Sequence, residues 1–196
     1  VRLGVDFYQQ NAVTLARQLI GKTLVRKIEN SYIKCRIVET EAYCGPEDKA
    51  CHAYNNKRTN RTQVMFKNGG IVYIYMIYGM YYCLNIVANK EGKPEAVLIR
   101  AVEPLDNIDI IRENRKIKTN KNYLLTNGPG KLCNALKIDK TFNGYDLIKG
   151  GELFILSSNK ECNIVETKRI NIDYAQEYKD KLWRFYIKDN KFISKK

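Results

Sequence analysis

Apolar residues recur at helical spacing between positions 11 and 20, where Ala12, Ala16, Leu19 and Ile20 share a face. Gly21 follows where a left-handed C-terminal cap is wanted, so the pattern predicts a short helix. The period then drops to two. Residues 23–28 and 32–38 read as strands joined by Glu29-Asn30-Ser31, with Ile33, Cys35 and Ile37 alternating against Lys34 and Arg36, which predicts a hairpin. Aromatic and β-branched runs at 71–78 and 80–87, broken only at Gly79, and another at 96–102 predict three further strands. Helical spacing returns at about 106–116 and 129–137, and strands at about 152–156, 163–169 and 183–188 complete the pattern.

Strands and helices do not alternate as a doubly wound fold requires, and neither an internal repeat nor a Pro- or Ser-rich linker divides the chain. The expectation is one α+β domain over residues 1–196, a curved, mainly antiparallel sheet flanked by short helices. The polar segments at 54–63, 112–122 and 157–163 become surface loops. No run reaches the roughly 18 apolar residues of a membrane-spanning helix, and the start Val1-Arg2-Leu3-Gly4-Val5-Asp6 lacks a secretory apolar region. A soluble intracellular protein is expected, cytoplasmic in a bacterium and nuclear in a eukaryote.

Charge changes the picture. The 34 Lys and Arg against 21 Asp and Glu give +13, a field that attracts polyanions, nucleic acid foremost, although a lysine-rich genome also yields basic proteins. The six cysteines contain no C-x-x-C pair, and Cys44 and Cys51, separated by six residues with His52 adjoining, match zinc spacings poorly. No metal is expected, and reduced thiols such as Cys83 in Tyr81-Tyr82-Cys83-Leu84 serve as small apolar groups.

Three stretches carry candidate chemistry. In Glu39-Thr40-Glu41-Ala42-Tyr43, continued extension places two carboxylates and an aromatic ring on one face before Gly45-Pro46 breaks the strand. Crowding or apolar burial of such a pair suits general acid–base work, while a solvated strand end is the plain alternative. Residues 72–82 hold five tyrosines in eleven positions. Strand parity sends Tyr73 and Tyr75 to one face and Tyr78 to the other, with Tyr78-Gly79 at a turn where the ring can stack on bases; ordinary core tyrosines are the alternative. Asn127-Gly128-Pro129-Gly130-Lys131 leads into a helix whose first amides and Lys131 suit a phosphate, or is simply a turn. His52 is the only histidine, and no G-x-S-x-G, Walker or G-x-G-x-x-G pattern is present.

With these residues in view, the chain resembles the alkyladenine (3-methyladenine) DNA glycosylase family over most of its length. The likeness rests on residues 36–43, Gly45-Pro46-Glu47-Asp48, Ala50 to His52, Met65-Phe66, residues 75–81, Asn85-Ile86, residues 98–104, residues 128–133 and Arg184-Phe185-Tyr186. The resemblance implies a monofunctional enzyme of base excision repair that needs no cofactor. It would act as a monomer, flipping an alkylated or otherwise damaged purine from duplex DNA and hydrolysing its N-glycosidic bond. Carried over by position, it implies that Glu41 activates the water, with Arg100 near the water and the backbone of the flipped nucleotide. Tyr43, His52 and Tyr75 would line the base pocket, and Asn85 would screen purines by their exocyclic group. Tyr78 would wedge into the duplex. Beside these, Gly79, Met80 and, from the helix start read above, Lys131 are expected to meet the DNA backbone. Asn171 and Gln176 stand where the family pattern has glycines, which bears on substrate breadth. Two other readings use the same residues: a non-catalytic nucleic-acid-binding module, and an RNA-modifying enzyme that reads the 2′-hydroxyl.

Overall fold

The computed structural model describes residues 1–196. A single turn, α1 (Val5–Tyr8), precedes α2 (Ala12–Leu19), where the Asn11 side chain accepts a hydrogen bond from Thr14 N–H at 2.9 Å. Ala12, Leu15, Ala16 and Leu19 make its buried stripe, and Gly21 adopts the expected left-handed conformation with φ 83°. The chain then enters the hairpin of β1 (Thr23–Ile28) and β2 (Ser31–Cys44). After two 3₁₀ turns, Tyr54–Asn56 and Gln63–Phe66, come β3 (Val72–Ile77), β4 (Tyr81–Ala88) and β5 (Glu95–Pro104). Next are α3 (Ile108–Arg115), α4 (Pro129–Ala135), β6 (Leu153–Leu156), β7 (Ile164–Thr167) and β8 (Arg184–Ile187).

The eight strands form one open antiparallel sheet in the order β3-β4-β5-β2-β1-β6, with β8 on β2 and β7 on β8. The α+β expectation holds. β2 is longer than the strand read from residues 32–38, because its far half is paired on both edges: residues 39–41 bond to β5 on one side and β8 on the other. Helices α2 and α4 cover one face and enclose the main core, which includes Leu15, Leu19, Ile33, Ile86, Ile99 and Leu132. The opposite face carries a smaller cluster with Met65, Phe66, Tyr73, Val87 and Ala96. No helix is long and apolar enough to cross a membrane.

A pair of compensating irregularities decides which side chains reach that second face. Along β2 and β5 the register shifts between Ile37 and Glu39 and shifts back between Glu39 and Thr40, leaving Val38 and Arg100 without directly paired partners. Ile33, Cys35 and Ile37 point into the main core, and so do Ala42 on β2 and Val97 and Ile99 on β5. Strict alternation from Ile37 would have sent Glu39 and Glu41 into that core as well. The extra residue reverses the parity, so both carboxylates emerge on the opposite side.

Candidate active site

Glu39 and Glu41 are fully buried, and each is satisfied by several donors. Glu41 Oε1 accepts from Ile170 N–H at 2.7 Å, while Oε2 accepts from the Tyr43 hydroxyl at 2.8 Å and Arg100 Nη1 at 3.3 Å. Glu39 Oε1 accepts from Arg184 Nε at 2.7 Å, the Ser194 hydroxyl at 2.9 Å and Arg100 Nε at 3.3 Å. Its Oε2 accepts from Ser194 N–H at 2.5 Å. Crowding between two carboxylates, the sequence-based rationale for the pair, is therefore corrected: Arg100 stands between them and Arg184 adds a second cation. Burial opposes the charge on Arg100, but Glu41 and then Glu39 outweigh it and hold its pKa above the ordinary value. A carboxylate offers about two acceptor positions on each oxygen. On Glu41, Oε2 has both taken by Tyr43 and Arg100, while Oε1, bonded to Ile170 alone, keeps one free.

Tyr43, Arg100 and Ile170 all line a cavity of about 610 Å³ on this face, which places the Glu41 carboxylate directly behind its wall. His52, Tyr75 and Asn85 line it too. The His52 ring meets Tyr75 edge-on, with centroids 4.6 Å apart and planes at 81°. A base cannot pass between rings in contact, so His52 and Tyr75 form one composite wall, with Tyr43 separate. One face of Tyr43 is covered by the Arg169 guanidinium at 4.9 Å.

His52 Nδ1 lies 3.0 Å from the Tyr73 hydroxyl, and Arg61 Nη2 lies 3.4 Å from Nε2. Because a guanidinium only donates, Nε2 is the acceptor and Nδ1 carries the proton. Burial, and then Arg61, push the His52 pKa down to about 4, so the ring is neutral at pH 7. Asn85 Nδ2 donates to the carbonyls of Tyr73 at 3.2 Å and Cys83 at 3.3 Å, leaving Oδ1 as a free acceptor in the cavity wall.

Tyr78 stands at the rim, 82% exposed. Tyr78 and Gly79 both have positive φ, 53° and 66°, and Met80 N–H donates to Ile77 O at 3.2 Å, a tight turn within the three-residue loop that leaves Ile77 paired with Tyr81. The parity expectation that sends Tyr78 away from Tyr73 and Tyr75 is overturned, because the turn releases it from the pleat and it borders the same cavity. Met80 is exposed beside it. The start of α4 comes close because residue 130 is glycine: a Cβ there would sit 2.9 Å from the Tyr81 Cβ. Lys131 thus reaches the rim, where its Nζ donates to Asn127 Oδ1 at 2.8 Å, and burial followed by nearby Arg115 lowers its pKa.

Sequence reading missed several parts of the site. Arg61 was seen only as part of a polar loop, and Asp48 only as part of a motif. Ile170, Arg169 and Ser194 lie more than 120 positions from their partners on β2, Glu41, Ala42 and Glu39, beyond any local pattern. At 171 and 176, where glycines were expected, the backbone does have positive φ, 57° and 52°. Asn tolerates that conformation better than Gln. The Gln176 side chain accepts a hydrogen bond from Lys49 Nζ, and Asn171 lines the cavity. All six cysteines are free, and no group of three or more His, Cys, Asp or Glu side chains could hold a metal ion.

The family model for methylpurine-DNA glycosylase matches residues 6–191. The chain belongs to that family. Among its relatives, a protein of Natranaerobius thermophilus provisionally named 3-methyladenine DNA glycosylase is 56% identical, with 99% of each chain covered. Proteins given the same provisional name in Clostridium novyi and Borrelia garinii are 50% and 53% identical, over 100% and 97% of this chain and 99% and 98% of their own. This glycosylase is thus an enzyme of DNA repair with DNA as its substrate, which displaces both the non-catalytic binding module and the RNA-modifying enzyme.

Proposed function

We propose that this glycosylase acts as a monomer on duplex DNA, extrudes damaged purines of the 3-methyladenine type into the cavity behind Tyr78, and hydrolyses their N-glycosidic bond. The observation that carries the reading is a fully buried carboxylate, Glu41, with one free acceptor position behind the wall of an aromatic cavity. At about 610 Å³ the cavity is within the usual ~300–1,000 Å³ of small-molecule sites. A base in the stack is out of reach of such a carboxylate, so flipping must come first. Tyr43 and the His52–Tyr75 wall offer stacking surfaces worth on the order of 1–3 kcal/mol per contact. A neutral His52 does not repel a purine made cationic by alkylation, and Asn85 Oδ1 offers an acceptor that reads exocyclic groups.

In the bond-breaking step water oxygen attacks C1′, the glycosidic pair leaves with the base nitrogen, and Glu41 accepts the water proton. The same carboxylate stabilises positive charge developing on the sugar. Tyr43, Arg100 and Ile170 N–H fix its orientation. The one lysine of the cavity wall, Lys131, is at the rim rather than beside Glu41, which favours simple hydrolysis to an abasic site over lyase chemistry. Methylated duplex DNA tests the reading: free methylpurine should appear and the strand should stay uncut. Glu41→Gln should still bind the duplex but release base at least ~10²-fold more slowly. Near-normal release by that variant would remove Glu41 from the role.

A further inference from the structure

We propose that Ser194 and Glu39 are positioning residues that divide the Arg100 guanidinium between two carboxylates and so keep the acceptor of Glu41 open for water. This rests on the reading of Glu41 above. Arg100 reaches Glu41 through Nη1 alone, at 3.3 Å, although a free guanidinium meets a carboxylate by preference with two parallel bonds. Its other nitrogens are engaged elsewhere. Nε donates to Glu39 Oε1 at 3.3 Å and to Ser194 Oγ at 3.4 Å, and Nη2 donates to Ser194 Oγ at 3.3 Å. The Ser194 hydroxyl in turn donates to Glu39 Oε1, and its backbone N–H to Oε2. Glu39 is itself fixed by Arg184 from β8.

The register shifts that turn the carboxylates to this face of the sheet also anchor this device. Val38, the extra residue on β2, packs with Ala101 and the buried Ile193, so the residue next to Ser194 is seated in a small apolar cluster of its own. Ser194 is delivered to Glu39 as a consequence. Without the Ser194 hydroxyl, Nε and Nη2 lose an acceptor, and the guanidinium can turn toward Glu41. A second bond from Arg100 would then occupy the acceptor that the water needs.

Ser194→Ala tests this, because it removes the hydroxyl and leaves both the backbone N–H donor to Glu39 and the Ile193 anchor in place. Single-turnover release of methylpurine from methylated duplex, with protein in excess, should fall about threefold to tenfold, with unchanged affinity for the duplex and an unchanged melting temperature. Ser194→Thr, which keeps a hydroxyl, should restore most of the rate. Equal rates for wild type and Ser194→Ala would overturn the proposal. So would a Thr variant as slow as the Ala variant, or a loss that appears in duplex affinity or melting instead. Glu41→Gln run alongside separates the two readings: normal release there defeats the role of Glu41 itself, whereas a slow Glu41→Gln with a normal Ser194→Ala defeats only the positioning device.

Discussion

The Asp48 carboxylate and the Arg169 guanidinium form a two-point ion pair, at 2.6 and 2.9 Å, with neither side chain reaching solvent. Arg169 also donates to Ala42 O at 2.9 Å and to Tyr178 O at 3.2 Å, and lies over the rings of Tyr43 and Trp183. The pair ties the turn after β2 to the segment that supplies Ile170 N–H, and it backs the cavity ring of Tyr43.

Removing one partner of a buried pair leaves the other charged and uncompensated, which costs about 3–5 kcal/mol. Asp48→Asn should therefore lower stability by about that amount, read as the midpoint of urea unfolding. Base release should fall with it, because Tyr43 loses its backing. A stability loss under about 1 kcal/mol would show that the pair does not hold this corner together.

That corner also shows how far the sequence could be read. The alternation of Ile33, Cys35 and Ile37 and the run Glu39-x-Glu41-x-Tyr43 were both visible, and each describes a real face of β2. Their relation to each other was not, because one unpaired residue, Val38, decides whether the acids face the core or the cavity. A bulge is set by the partner strand, and nothing in the local pattern announces it. The donors that complete the site, Ile170 and Ser194, are 129 and 155 positions from the carboxylates they serve. Pairings of that range follow from the sheet closing, not from spacing. The motif likeness found Glu41, Tyr43, His52, Tyr75, Tyr78, Asn85 and Arg100, and all except Glu41, which lies just behind it, border one cavity.

His52 carries a pH prediction. Its pKa is lowered to about 4 in the folded chain, from an ordinary 6.5, with burial the first cause and Arg61 the second. The unfolded chain binds the extra proton between those values, so stability rises with pH across that window. The contribution is complete above about pH 6.5 and is lost as pH falls toward 4, amounting to roughly 3 kcal/mol at most. Unfolding midpoints measured from pH 4 to 8 should show this slope, and His52→Gln should flatten it. Parallel curves for the two proteins would mean that His52 titrates normally in the folded state.

The +13 charge predicts steep salt dependence for binding undamaged duplex, because each phosphate neutralised releases condensed counterions and adds about −0.9 to the log–log slope. A slope steeper than about −2 is expected. Lys131 stands at the rim with its ammonium held by Asn127, so Lys131→Ala should make the slope shallower by up to about one unit if the side chain meets a phosphate. An unchanged slope would place the DNA backbone elsewhere on the surface.

Tyr78 separates base flipping from plain strand binding. A ring 82% exposed at the tip of a hairpin gains nothing for the fold, and Tyr78 holds a positive φ that tyrosine seldom adopts. If the ring fills the place vacated by the flipped base, Tyr78→Ala removes the plug and the flipped state loses on the order of 1–3 kcal/mol of stacking. Folding should be unaffected, and release of base from damaged duplex should fall by about tenfold or more. A lesion in single-stranded DNA leaves no stack to refill, so its slower processing should change little on the same substitution. A fluorescent base analogue beside the lesion would report extrusion directly, with less flipped signal from the variant at saturating protein. Equal weakening of single- and double-stranded binding with the flipped fraction intact would make Tyr78 one more stacking surface, and the hairpin would have to be reassigned from wedge to platform.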